Sequence, residues 1–489
     1  MSNGNTMDKQ LRRVAIVGLG LLGVLAININ YIQGSQAEKL QKNALNTRQF
    51  QDIFLRDRGD IISADGVVLA FSDPLSKSNK PKYQRKYVQD GEAFVPVTGF
   101  FAGTLQKSGL EVAYDSYLDG KDKSQNVGKW LDQLSGKKPS GSNVITTIDA
   151  KAQRVAYQAI QKTVRRSSAI VIDIKTGAIK VAASFPSFDP NTVANVNKAE
   201  DDQKVLTKLN ADKQGTPLIN KAFGEVFPPG SSFKAVVAAS FLQNGNNKNS
   251  TVPSPETQVP PGASQPVKND CSGNPTVLLE AFAQSCNNPF GLMGTTSLLG
   301  NEKVGETARD FGFYEKIPIE EDLSAPASQY PVDQDTALEY FASFGQGETK
   351  TTTLQMAMVA SAIANGGNLM KPYLVESVKN QKGDEIYSVD KKTMSKPLSS
   401  DSASDLQDMM RAVVDHGTAR DSVGGQNIAG KTGTAELTET LRGLWFVGFA
   451  PSNNPKYAFA VQIEGRQGQF GASTAGPIAA QITQALLNK

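Results

Sequence analysis

Three short patterns hold the residues of this chain that could do chemistry together: Ser231-Ser232-Phe233-Lys234, Ser285-Cys286-Asn287 and Lys431-Thr432-Gly433. A serine hydroxyl is a poor nucleophile until a base takes its proton. Lysine ordinarily titrates at about 10.4, but burial and a second cation nearby bring it toward a neutral amine. Lys234 and Lys431, gathered around Ser285, would supply that mutual repulsion. Ser285 would then relay a proton, and Asn287 would hydrogen-bond a substrate amide. A strand edge at 431–434 would align an extended peptide by β-addition. The backbone N–H groups of Ser231 and Thr434 would form an oxyanion hole, with each donor contributing roughly 10²–10³ in rate.

Each pattern alone is weak, because all three recur. Ser-x-x-Lys is also found at Ser135 and Ser388, Ser-x-Asn at Ser124, Ser272 and Ser452, and Lys-Thr-Gly at Lys175. Context separates them. Ser231 alone opens a strongly apolar helix, which sets Lys234 one turn on and on the same face. Lys175 lies in a hairpin turn ahead of the serine, whereas Lys431 leads a strand-like run of small residues.

Composition removes the main competitors. The 489 residues include one His and two Cys, and since a structural zinc site needs four N or S ligands and a catalytic one usually three, Cys- and His-rich metal sites are all but excluded. A Ser-His-Asp triad would have to use His416, which sits in VVDHGTAR and reads as a loop or packing residue. The formal charge of +3, from 51 basic and 48 acidic residues, gives no argument for a nucleic-acid partner. No metal and no cofactor are implied, so proton transfer falls to Lys, Asp, Glu or Tyr.

The elements that must position these groups can be read along the chain. Lys9, Arg12 and Arg13 precede an uncharged run from Val14 to Ile32, about 28 Å long as a helix. Basic residues ahead of the run put the N-terminus in the cytoplasm and the rest outside. Gly18, Gly20 and Gly23 have dinucleotide-loop spacing, but no second strand with an acidic end follows. Ser35-Gln36-Ala37 resembles a signal-peptide cleavage site, so the segment is either a retained anchor or a removed signal. Residues 121–142 are rich in Lys, Ser and Gly and read as a linker.

Further on, VITTIDAKAQRVAYQAIQKTV offers a Thr or Asp cap ahead of a helix, and Lys175-Thr176-Gly177 turns a hairpin. Residues 245–270, rich in Pro, Ser and Asn, should be a surface excursion. Three strand-like runs (QNIAGKTGTAE, LRGLWFVGFA and YAFAVQIEG) precede a last helix expected to start at Pro477. Strands flanked by helices suggest an α/β sheet covered on its faces.

The ordered trio resembles that of the penicillin-binding proteins and serine β-lactamases. Arg58-Gly59, Ile61, Gly66, Leu69-Ala70, Gly109-Leu110-Glu111 and Leu118-Asp119-Gly120 resemble the pedestal of the class B penicillin-binding proteins. FPPGSSFK, SFGQGETKTTTLQMA and LWFVGFAP resemble their transpeptidase domain. Thr353 departs from the family, which usually has Pro before Leu-Gln.

The resemblance implies an α/β penicillin-binding, β-lactamase-like transpeptidase domain: a central antiparallel sheet with helices on both faces and an all-helical lobe. An α+β pedestal and a single membrane helix would precede it. The implied division is a cytoplasmic tail 1–13, a signal anchor 14–33, a pedestal or dimerisation-like domain 34–142 and a transpeptidase domain 143–489. No segment is long enough for an added glycosyltransferase domain.

By the same resemblance Ser231 attacks the penultimate D-Ala carbonyl of a peptidoglycan stem peptide, with Lys234 as base. Lys431, Thr432, Gly433 and Thr434 hold the terminal carboxylate, an amine from a second stem resolves the acyl-enzyme, and β-lactams mimic the donor. Cys271 and Cys286, fifteen apart and outside the cytoplasm, would form a disulfide. Three alternatives stand beside this reading. A β-lactamase would need a Glu that activates water, and Glu376 with Asn380 has the spacing but lies in a charged hairpin. A carboxypeptidase would share every residue named. A non-enzymatic scaffold would recruit a SEDS-type glycan polymerase through the membrane segment and pedestal.

Overall fold

The structure, a computed structural model, describes residues 4–32, 54–75, 82–122, 140–269, 271, 273–295, 298–332 and 335–488. Residues 1–56 and 75–82 form one compact unit and the rest a second. The first holds helix α1 (Gly4–Tyr31), in which Leu11–Tyr31 is long and apolar enough to cross a membrane. Lys9, Arg12 and Arg13 belong to this helix, and so do all three glycines of the dinucleotide-like spacing. No strand leads into those glycines, which removes the phosphate-loop alternative. The cleavage-like Ser35-Gln36-Ala37 and residues 123–139 of the expected linker lie outside the described residues.

Two sheets organise the second unit. The larger has six strands: β1 (Ile61–Ile62), β2 (Val68–Pro74), β3 (Tyr83–Tyr87), β4 (Asn143–Thr146), β7 (Val375–Lys379) and β8 (Glu385–Ser388), in the order β8-β7-β4-β1-β2-β3. Pedestal and catalytic segments therefore share one sheet. The charged stretch from 378 to 392 forms the expected hairpin, β7 with β8.

The second sheet is antiparallel throughout. It contains β5 (Ser167–Asp173), β6 (Ile179–Phe185), β9 (Ala429–Glu436), β10 (Leu441–Ala450) and β11 (Tyr457–Arg466), in the order β9-β10-β11-β5-β6. Its strands read as continuous apolar runs because both faces are covered. Helices α2 (Ala150–Gln161) and α8 (Gly471–Leu487) lie on one face and α6 (Thr353–Ala364), buried at all twelve residues, on the other. A helical lobe of α3 (Lys234–Gln243), α4 (Leu278–Ala283), α5 (Asn287–Met293) and α7 (Ser400–Asp415) packs beyond α6.

Local chemistry explains the ends of these helices. Of the Thr and Asp candidates, Asp149 caps α2 by accepting from Ala152 N–H. Thr353, the departure from the family pattern, is the first residue of α6, where Pro is favoured for its missing N–H. Its hydroxyl instead meets Ser168 Oγ at 2.7 Å, tying α6 to β5. The last helix corrects the expectation that it starts at Pro477: it begins six residues earlier, at Gly471. Gly471 N–H donates to Thr434 Oγ1 at 3.3 Å, so a tertiary contact sets the start.

The pedestal residues assemble around one buried carboxylate. Glu111 Oε2 accepts from Arg58 Nε at 2.7 Å, and Oε1 accepts from Arg85 Nε at 2.6 Å and Tyr87 OH at 3.1 Å. Arg58 also reaches Asp115 at 2.7 Å, and Arg85 donates to Gly59 O at 2.8 Å. Burial pushes the Glu111 carboxyl up, but the Arg85 and Arg58 guanidiniums outweigh it and hold the group below its ordinary value of 4.5. Its stabilisation is therefore present above about 4.5 and is lost as pH falls through the folded-state value. Replacing Glu111 by Gln leaves two buried guanidiniums short of a counter-charge and should cost about 3–5 kcal/mol. Calorimetric melting should show a lower Tm at neutral pH, and the gap to wild type should narrow on acidification.

Candidate active site

Pro228-Pro229 ends an extended segment and a single 3-10 turn, Gly230–Phe233, leads into α3. Within the turn Ser231 alone is partly exposed, and Ser232 Oγ is spent on Pro229 O at 2.7 Å. Only the first of the adjacent serines is therefore free to act on a substrate. Lys234, three residues on, is fully buried.

Ser285 is the meeting point of the remaining motifs. Lys234 Nζ donates to Ser285 O at 2.7 Å and Asn287 Oδ1 at 2.8 Å, with Ser285 Oγ at 3.5 Å. Lys431 Nζ donates to Ser285 Oγ at 2.8 Å and Thr432 O at 3.2 Å. Neither lysine has a carboxylate partner among the described residues, and aromatic rings lie beside both, Phe290 near Lys234 and Phe282 near Lys431. Burial, with the Lys431 charge beside it, pushes the Lys234 amine well below its ordinary range, and burial brings Lys431 down to about 7. A neutral lysine amine has two hydrogens and one lone pair. At Lys234 the carbonyl of Ser285 and the amide oxygen of Asn287 take the hydrogens, which leaves the lone pair for a hydroxyl proton.

Strand β9 carries Lys431, Thr432, Gly433 and Thr434 along the free edge of its sheet. Its backbone lies directly on the Gly230–Phe233 turn. A Cβ on Gly433 would sit 2.5 Å from Pro229 O, and one on Gly230 2.6 Å from Thr434 O. Gly230, at φ +54°, also donates its N–H to Gly345 O at 2.9 Å. The spacing of these elements depends on the absence of side chains, and it keeps Ser231 N–H and Thr434 N–H within one short stretch of packed backbone.

Other predicted residues are found away from this cluster. His416 caps α7 and meets Glu280 at 3.2 Å, on the surface. Lys175 turns the β5–β6 hairpin and donates to Asn365 at 2.9 Å. Glu376, on β7, is bound to Lys391 at 2.8 Å and Tyr373 at 3.0 Å. Ser124, Ser135 and Ser272 lie outside the described residues. Two residues escape the sequence reading. Thr418 Oγ1 meets Thr432 Oγ1 at 2.8 Å, and Asn269 Oδ1 accepts from Asn287 N–H at 2.8 Å. Both are distant in sequence from the groups they touch, and no local pattern marks them. The excursion that carries Asn269 is exposed over most of its length, but Ser254 and Asn269 are buried against α5.

The pattern of the penicillin-binding protein transpeptidase domain matches residues 167–484, and that of the penicillin-binding protein A dimerisation domain matches residues 58–144. The chain belongs to the class B penicillin-binding proteins. Among them it is 34% identical to peptidoglycan D,D-transpeptidase PbpA of Mycolicibacterium smegmatis, over 98% of both chains. The M. tuberculosis penicillin-binding protein A structure with imipenem as an acyl-enzyme superposes with a TM-score of 0.82 at 30% identity, covering 89% of this chain and 99% of that one. Its ceftriaxone acyl-enzyme gives 0.84 at 31% identity, covering 89% and 100%.

The structure joins Cys271 to Cys286, with Cα atoms 5.6 Å apart, and so ties the excursion to the residue between Ser285 and Asn287. Ser285 itself sits at φ +61°, in the left-handed region. Closing a loop of this size contributes about 3 kcal/mol by chain entropy. Alkylation under denaturing conditions should add no mass before reduction and two adducts after it. Replacing both cysteines by Ser should lower stability by a similar amount in denaturant unfolding.

Proposed function

We propose that this penicillin-binding protein is a serine-type D-Ala-D-Ala transpeptidase. Its donor is a peptidoglycan stem peptide, and β-lactams trap its acyl-enzyme. The observation that carries the reading is the pair of buried lysines converging on Ser285, one of them three residues after the partly exposed Ser231. Ser231 Oγ attacks the penultimate D-Ala carbonyl while its proton passes to Lys234. The developing oxyanion takes hydrogen bonds from Ser231 N–H and Thr434 N–H. The C–N bond breaks as the leaving amine takes a proton from Ser285, which is replenished by Lys431, and D-Ala departs. The acceptor amine then attacks the ester and passes its proton through Ser285 to Lys431, while Lys234 returns a proton to Ser231 Oγ as the ester C–O bond breaks, which forms the cross-link and restores the enzyme. Lys431 with Thr432 and Thr434 holds the donor carboxylate, and the stem lies along the free edge of β9.

Residues 1–13 form a cytoplasmic tail, 14–33 a signal anchor, 34–142 a pedestal and 143–489 the catalytic domain, which lies outside the cytoplasm. Lys9, Arg12 and Arg13 ahead of the apolar run support this orientation. Anchor and pedestal recruit a SEDS-type glycan polymerase, an idea supported by family resemblance alone. Failure of any polymerase to co-purify from membranes would count against it, and full complementation of a depleted strain by Ser231→Ala would reduce the protein to a scaffold.

After benzylpenicillin, intact mass should show one persistent adduct on the wild type and none on Ser231→Ala. Turnover of the drug without an adduct would point to hydrolysis. Supplying an amine acceptor with a D-Ala-D-Ala donor should yield cross-linked product, whereas hydrolysis alone would make the chain a carboxypeptidase. The second-order acylation rate should be bell-shaped in pH. It falls on the acid side as Lys234 gains a proton, and on the alkaline side, from about 7, as Lys431 loses the charge that attracts the carboxylate. A rate that is flat on both sides of about 7 would contradict these roles.

A further inference from the structure

Asn287 is the first residue of α5, and the first N–H groups of a helix have no acceptor within it. The usual remedy is a side-chain oxygen on the residue before. Here that residue is Cys286, whose sulfur is committed to Cys271. The cap comes instead from a distant segment: Asn269 Oδ1 accepts from Asn287 N–H at 2.8 Å and from Asn288 N–H at 3.3 Å. Its amide orientation is set from the other side, because Nδ2 donates to Ser254 Oγ at 2.8 Å within buried surroundings. Asn288 is fixed as well, donating to Pro255 O and accepting from Tyr340 OH, both at 2.7 Å. On its far side Asn287 presents Oδ1 to Lys234 Nζ. A continuous path of hydrogen bonds thus runs Ser254–Asn269–Asn287–Lys234.

We propose that Asn269 is a positioning residue for acyl transfer: as a cap in trans it holds Asn287 so that Asn287 Oδ1 takes one hydrogen of the Lys234 amine and the lone pair is left to receive the Ser231 proton. This rests on Lys234 being the general base. The turn ahead of α5 needs such a hold, since Ser285 is in the left-handed region. The disulfide grips only Cys286, and the cap extends the grip to the residue that touches the base.

Stopped-flow with a chromogenic cephalosporin on the folded chain tests this, because it resolves the maximal acylation rate and the constant for non-covalent binding separately. Asn269→Leu should lower the maximal rate about ten- to hundredfold, the range expected for a slightly misplaced catalytic group, and leave the binding constant unchanged. Asn269→Asp keeps the accepting oxygen and should stay within about threefold of wild type. Ser254→Ala, which leaves the cap in place but unoriented, should give a smaller loss in the same direction and serves if Asn269→Leu does not fold. In an Asn287→Ala background the Asn269 effect should vanish, since it acts through that side chain. Wild-type acylation by Asn269→Leu, a loss confined to binding, or an effect that persists without Asn287 would overturn the proposal. An adduct on Ser231→Ala, or an unimpaired Lys234→Ala, would instead overturn the reading on which it rests.

Discussion

Burial of two amines without a counter-ion is the constraint from which the catalytic half of this protein follows. Lys234 and Lys431 lie in a dry, partly aromatic setting and share one hydroxyl, Ser285 Oγ. An ammonium ion there costs far more than in water, so the protein gives up part of its protonation energy to obtain amines usable near neutral pH. The acceptors around them are neutral: a carbonyl, an amide oxygen and hydroxyls. A carboxylate at the same place would restore an ordinary lysine. Rigid surroundings are then required, because neutral acceptors hold through geometry and not through long-range attraction.

That rigidity comes from backbone packed on backbone and from cross-links between segments remote in sequence. Strand β9 lies against the Gly230–Phe233 turn with no side chain between them at Gly433 and Gly230. Trp445 Nε1 donates to Pro228 O at 2.9 Å, which fastens the turn to the next strand of the sheet. At the other end, the disulfide and the Asn269 cap fasten α5. The pedestal joins the same framework, since β4 pairs with β1 on one side and β7 on the other. Ile61, Leu110 and Leu118 are in the same contiguous core as the strands of the catalytic sheet.

Legibility in the sequence followed the range of the interactions. The Ser231–Lys234 pair was readable because three residues on a helical turn share a face. The three C-terminal strands were readable as apolar runs, and the cap of α2 as a Thr or Asp. The start of α8 was misread because Pro477 is a first-turn signal, whereas the helix is extended backward by the bond from Gly471 to Thr434. Asn269 was hidden in a stretch whose Pro, Ser and Asn content reads as solvent-facing, and its partner lies eighteen residues away. Thr418 was hidden because its partner Thr432 lies fourteen residues away and no local pattern relates the two. The pedestal's Arg58 and Glu111 were visible only through family likeness, since nothing local relates two charges that meet across 53 residues.

The left-handed backbone at Ser285 restricts which hydroxyl amino acid can stand there. Threonine offers the same donor and acceptor, yet its branched Cβ is strongly disfavoured at φ values like the +61° found here. A cysteine or alanine would fit the backbone no worse than serine but lacks a hydroxyl for the two lysines to share. The conformation thus biases mutation: among side chains with an aliphatic hydroxyl, the unbranched one meets the shape of the turn and the needs of the amines at the lower cost. Drift toward the commonest conservative exchange for serine therefore meets a main-chain cost at this position, although the chain does place the β-branched Val164 and Thr216 at φ +57° and +46° elsewhere.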